Sequence, residues 1–107
     1  MDNRRWDTSM ILAGGILGIA PPKSACPPDA ALTDVDEDDL SRGTLRAGLE
    51  AGGLDASMYY GVWKIWRTAA GFSGELMQYR SVTDSFTDQP IDKALEKAEE
   101  WAGGCYG

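Results

Sequence analysis

Five carboxylates crowd one short stretch of this chain: Asp34, Asp36, Glu37, Asp38 and Asp39. Acids at alternating positions are how a calcium loop begins. Asp34, Asp36 and Asp38 fit that beginning. The same loop needs a glycine at its sharp bend and a bidentate acid at its close, where this chain has Asp39 and Leu45. The pattern therefore predicts a solvated acidic surface, and no metal or cofactor is expected. The chain has no histidine. Its serines thus lack the usual general base, a Cys-His pair is excluded, and zinc loses its commonest nitrogen ligand. Lys64 could form a Schiff base only if desolvated, and a surface lysine on a strand is the plainer reading. The glycine pairs Gly14-Gly15 and Gly52-Gly53 match neither phosphate-binding fingerprint, because no G-K-[ST] follows and no G-x-G-x-x-G occurs. The residues point away from an enzyme.

A second group suits binding. From Ser57 to Thr68 the chain is rich in aromatic and β-branched residues and is expected to form one strand. Glu75 to Phe86 is expected as its partner, with Ala69 to Gly74 as the turn of a hairpin. Alternation separates Tyr60, Val62, Lys64 and Trp66 from Tyr59, Trp63, Ile65 and Arg67, so each face carries one tryptophan. If Trp63, Ile65, Met77 and Tyr79 pack inward, the outer face shows Tyr60, Lys64, Trp66 and Arg80. Such a face suits protein contact, since Trp, Tyr and Arg dominate interface hot spots. Stacking of single-stranded bases is a weaker option, opposed by the charge.

These groups need elements to hold them. The acids are expected in the first turn of a helix running from Thr33 to Gly52-Gly53, where they would complement its dipole. Leu45 and Leu49, four apart, would face the core, and Gly43 and Gly48 make the helix dependent on packing. A final amphipathic helix carries Ile91, Ala94, Leu95, Ala98, Trp101 and Ala102 at helical spacing. Thr87 or Asp88 would cap it, Pro90 suits its first turn, and Gly103-Gly104 would end it.

The N-terminal part is less regular. Arg4-Arg5 precede an apolar run from Met10 to Ala20, and Pro21-Pro22 follow. The run has the length of a signal-peptide core and is too short to span a bilayer as a helix. Lys23, however, takes the −3 position of the plausible cleavage site after Ala25, where a small residue is expected. Ser9 to Ile19 is therefore read as a buried structural element, a strand bent at Gly14-Gly15. Residues 20–33 read as a proline-rich internal linker. Cys26 and Cys105 could be brought together, but one cysteine pair makes no disulfide scaffold, and two free thiols in a reducing cytosol are expected.

The length of 107 residues bounds the chain to a single domain, 1–107, with one modest core. The expected fold class is α+β: a mostly antiparallel sheet of about three strands with two helices on one face, in the order β-α-β-β-α. Ten Lys and Arg against seventeen Asp and Glu give a formal charge of −7. That sign disfavours direct binding to nucleic acid or an anionic membrane and favours a protein partner with a basic surface. This profile resembles the small acidic proteins of phages and mobile elements that block a host nucleic-acid-binding machine, anti-CRISPR proteins among them. The resemblance implies a non-enzymatic cytoplasmic inhibitor that occludes or mimics nucleic acid. The C-terminal helix after a hairpin also resembles antitoxin-type domains. The alternative is an accessory subunit that joins a larger assembly through the aromatic strand.

Overall fold

A computed structural model of the chain describes residues 24–103. The expected strand at Ser9 to Ile19, the start of the linker, Gly104 and Cys105 lie outside these residues. Cys26 is a free thiol, and half-burial pushes its pKa up.

The described elements are β1 (Thr33–Asp34), α1 (Arg42–Ala51), β2 (Gly53–Met58), β3 (Gly61–Thr68), β4 (Gly71–Gln78), β5 (Ser81–Gln89) and α2 (Ile91–Ala102). The fold is α+β, as expected, but among the described residues the sheet has five strands in the order β1-β2-β3-β4-β5 rather than about three. β1 pairs parallel to β2, and the remaining neighbours pair antiparallel. The described order β-α-β-β-β-β-α corrects the shorter one read from the sequence. Each of the two expected strands is a pair of strands. Tyr59-Tyr60 turns the chain between β2 and β3, and Tyr79-Arg80 turns it between β4 and β5. Neither turn carries the Asn-Gly or Asp-Gly dipeptide that marks a two-residue hairpin, so both are hidden within apolar alternation.

Alternation divides the sheet into two faces. Leu54, Ala56 and Met58 of β2, Trp63 and Ile65 of β3, and Phe72 and Leu76 of β4 face the helices and are buried. Leu45 and Leu49 of α1 meet them, as do Ala94, Leu95, Ala98 and Trp101 of α2. α1 lies against β2, α2 against β4, and the helices touch each other. The Trp101 ring sits 5.9 Å from that of Trp63 and 5.7 Å from that of Phe86. Full burial of each such side chain contributes about 1.5–3 kcal/mol. Gly48 explains a glycine in mid-helix: a Cβ there would lie 2.3 Å from Leu54 Cδ2, so its absence lets α1 sit close on β2. Gly53, at φ 145°, passes so near β3 that a Cβ would fall 2.2 Å from the Ile65 carbonyl oxygen.

The helix ends differ from expectation. Ser41 caps α1, its Oγ accepting from the Thr44 N–H, and no acid lies in the first turn. The chain stays extended through Val35, whose N–H donates to the Asp55 carbonyl. Asp36 then bonds its own backbone, its Oδ1 accepting the Asp38 N–H at 2.8 Å. Such local bonds compete with helix, so the helix starts later than the acids suggested. At the C-terminus of α1, Arg67 from β3 donates to the Glu50 carbonyl at 2.9 Å, a cation set against the negative end of the helix dipole. Neither Thr87 nor Asp88 caps α2, because both belong to β5. Pro90 takes the cap position without a side-chain bond. A proline holds the residue before it extended, so the strand persists to Gln89 and the helix begins directly after Pro90.

Candidate functional site

The acidic loop joins β1 to α1. Asp34, Asp36, Glu37, Asp38 and Asp39 are all exposed. Asp39 is tied inward: its Oδ2 accepts the Thr44 hydroxyl at 3.0 Å and its Oδ1 the Ser41 N–H. Those bonds, the one from Thr44 foremost, hold its carboxyl below the ordinary value. Asp34, Asp36, Glu37 and Asp38 make no ion pair among the described residues. The nearest cations in sequence are already taken. Arg42 pairs with Glu99, and Arg46 with Glu50 at 3.4 Å and Asp92 at 3.3 Å. Lys93 and Lys97 pair within α2 and with Asp84. The helical layer is thus laced with paired charge, and the loop beside it is not. The described residues contain no group of three or more His, Cys, Asp or Glu placed to hold a metal ion, and none of their helices is long and apolar enough to cross a membrane.

The aromatic residues separate. Tyr60 turns toward the core, where its hydroxyl donates to the Trp101 carbonyl and its ring meets Tyr59 edge-on. Trp66 lies on the sheet face away from the helices, opposite Gly53 and Ser73 in register, yet it is only 5% exposed. Lys64 and Arg80 come together instead. They line one groove of about 420 Å³ with Val62, Glu75, Met77 and Tyr79. Tyr79, placed among the inward residues by alternation, is 97% exposed at the tip of its turn.

The register explains this outer face. Asp55, Lys64, Glu75 and Ser85 form one cross-strand row, and Ser57, Val62, Met77 and Val82 form the next. The linker runs over the first row. The Ser24 hydroxyl donates to Glu75 Oε1 at 2.7 Å and the Ala25 N–H to Glu75 Oε2 at 3.0 Å. Both carboxylate oxygens of Glu75 are thereby occupied, and neither Glu75 nor Asp55 forms an ion pair with Lys64. Among the described residues Lys64 and Arg80 are the cations without a partner, because Arg67 reaches the end of α1 and the rest are paired.

The turn beside the groove is unusual. Tyr79 at φ 52° and Arg80 at φ 67° both occupy the left-handed region. Two such residues in succession match a type I′ hairpin turn, which favours Asn-Gly. Non-glycine residues there cost about 1–2 kcal/mol each. The sequence reading missed Val62, Met77 and Tyr79 as groove residues. The one available signal was the alternation that puts Val62 on the same strand face as Lys64.

The chain matches no protein-family model, and neither curated proteins nor solved structures give a significant match.

Proposed function

We propose that this is a small non-enzymatic binding protein that presents its acidic loop to a basic partner surface. It would occlude or mimic nucleic acid there, in the manner of the anti-CRISPR-like inhibitors its profile resembles. One observation carries the reading: Asp34, Asp36, Glu37 and Asp38 are exposed and, among the described residues, without a cation, while the neighbouring helices satisfy theirs. Unpaired carboxylates on a framed loop offer a basic groove the charges it expects from phosphates, and they speed encounter more than they strengthen the final complex. The alternative, an accessory subunit joined through the aromatic strand, has less support, because Trp66 is buried and Tyr60 is bonded to the core.

The test uses the intact protein as bait for its partner in host lysate, followed by association kinetics at two ionic strengths. The D34N/D36N/E37Q/D38N variant spares Asp39, whose bonds help frame the start of α1. Association should slow in that variant and in high salt, with the circular dichroism spectrum unchanged. Normal association by the variant, indifferent to salt, rejects the charge-mimic reading.

A further inference from the structure

The groove on the outer sheet face has a separate chemistry from the acidic loop. Its floor is apolar, from Val62 and Met77, and its volume of about 420 Å³ falls in the range of small-ligand sites. Its two cations, Lys64 and Arg80, are the unpartnered ones among the described residues of an acidic protein. Glu75 also lines the groove, but its oxygens are held by Ser24 and Ala25, so the Lys64 ammonium is not drawn into a pair with it. Arg80 is placed at the rim by a turn conformation that its residue type disfavours. Backbone held against preference is found most often where it positions a functional group.

We propose that this groove binds a small amphipathic carboxylate, with the apolar body on Val62 and Met77 and the carboxylate facing Lys64 and Arg80. An apolar floor supplies most of the contact, and the cations select the head group. A neutral alcohol with the same body forgoes the two charge interactions, and an amine is repelled by both. The site is independent of the acidic loop, since the two surfaces carry opposite charge and share no residue.

The probe series is octanoate, octanol and octylammonium, titrated into the full chain and followed by amide chemical shifts. Octanoate should bind saturably, with shifts centred on Gly61–Lys64 and Glu75–Arg80. The other two should bind at least several-fold more weakly. K64Q and R80Q should each weaken octanoate by about three- to fivefold, the span expected of a partly exposed charge pair. Retained amide dispersion in both variants shows that they fold. Equal binding of the three probes overturns the proposal and leaves a greasy patch without head-group selection. Unchanged affinity in both variants overturns it too, as does the absence of saturable binding. Octanoate binding that appears only after removal of residues 1–23 assigns the groove to the chain's own N-terminal segment, which also overturns it.

Discussion

The two faces of the sheet come from the same four long strands, and they are built to opposite rules. On the helix side, Leu54, Trp63, Ile65 and Leu76 are sealed under α1 and α2. On the other side, Asp55, Lys64 and Glu75 alternate in charge along one row, and Val62, Met77 and Val82 lie half-buried or exposed in the next. Strand periodicity makes this division possible in β2, β3 and β4, where a residue's face follows its parity, whereas a register shift in β5 sets Val82 opposite Met77 on the outer face and Asp84 opposite Leu76 on the helix side. The consequence is a separation of tasks. Most of the buried core lies on the helix side, and apart from the buried Trp66 and Ser73 the outer side is free to hold residues that folding does not require. Substitutions on the two faces should therefore differ in size before they differ in kind.

The largest effect belongs to the core. Leu95→Ala removes a fully buried side chain from the centre of the helix side and should cost about 2–5 kcal/mol in denaturant unfolding. Val62→Ser on the outer face, which is 39% exposed, should stay within about 0.5 kcal/mol. Comparable losses from the two would end the division of tasks.

The next effect tests the rim where the helix side meets the edge strand. Asp84 Oδ2 accepts from Lys97 Nζ at 2.8 Å and from Trp101 Nε1 at 3.0 Å, clipping β5 to α2. Asp84→Ala leaves the buried indole N–H of Trp101 unpaired, which should cost about 1–3 kcal/mol. The core already holds one such group, since Trp63 Nε1 is buried without a partner. If the Asp84→Ala loss is no larger than that of Val62→Ser, this clip contributes nothing.

A smaller effect of opposite sign is expected on the outer side. Replacing Tyr79-Arg80 by Asn-Gly relieves two left-handed residues and should raise stability by about 1 kcal/mol or more. The same change removes Arg80 from the groove. Higher thermal stability with weaker octanoate binding is the trade expected of a functional turn. Lower stability would show that the turn is held by packing and not against it.

The helix side was largely legible in the chain. Ala94, Leu95, Ala98 and Trp101 recur at helical spacing, and all four are buried on one face of α2. Leu45 and Leu49 behaved likewise. Legibility failed where local signals are silent or misleading. Tyr59-Tyr60 and Tyr79-Arg80 are turns whose tyrosines favour strands. The acids before α1 resemble a helix start, but Asp36 bonds the backbone ahead of the helix and Asp39 reaches into it through the Thr44 hydroxyl. The unpaired state of Asp34, Asp36, Glu37 and Asp38 depends on Arg42 and Arg46 turning toward α2, a contact across roughly fifty residues of sequence that no local pattern encodes. The pairing of Lys64 with Arg80 in one groove is long-range in the same way.

The smallest effect is a pH dependence at the rim of the helix side. The hydrogen bond from Lys97 to Asp84 outweighs the opposing effect of partial burial and holds the lysine above its ordinary value of 10.5. A lysine whose pKa is raised by folding adds stability that is complete below its unfolded pKa and lost as pH rises through the folded one. The loss therefore begins above about pH 10.5. Lys97 keeps about a third of its side chain in solvent, so screening limits the size to less than about 1 kcal/mol. The difference between two proteins is the informative quantity. Unfolding free energies of the native chain and Asp84→Asn should be measured from pH 8 upward. The native chain should lose its margin over Asp84→Asn above pH 10.5, and the two curves should run parallel below it. Curves that stay parallel throughout would mean that Lys97 gains nothing from Asp84, and that the clip at the rim holds through the Trp101 indole alone.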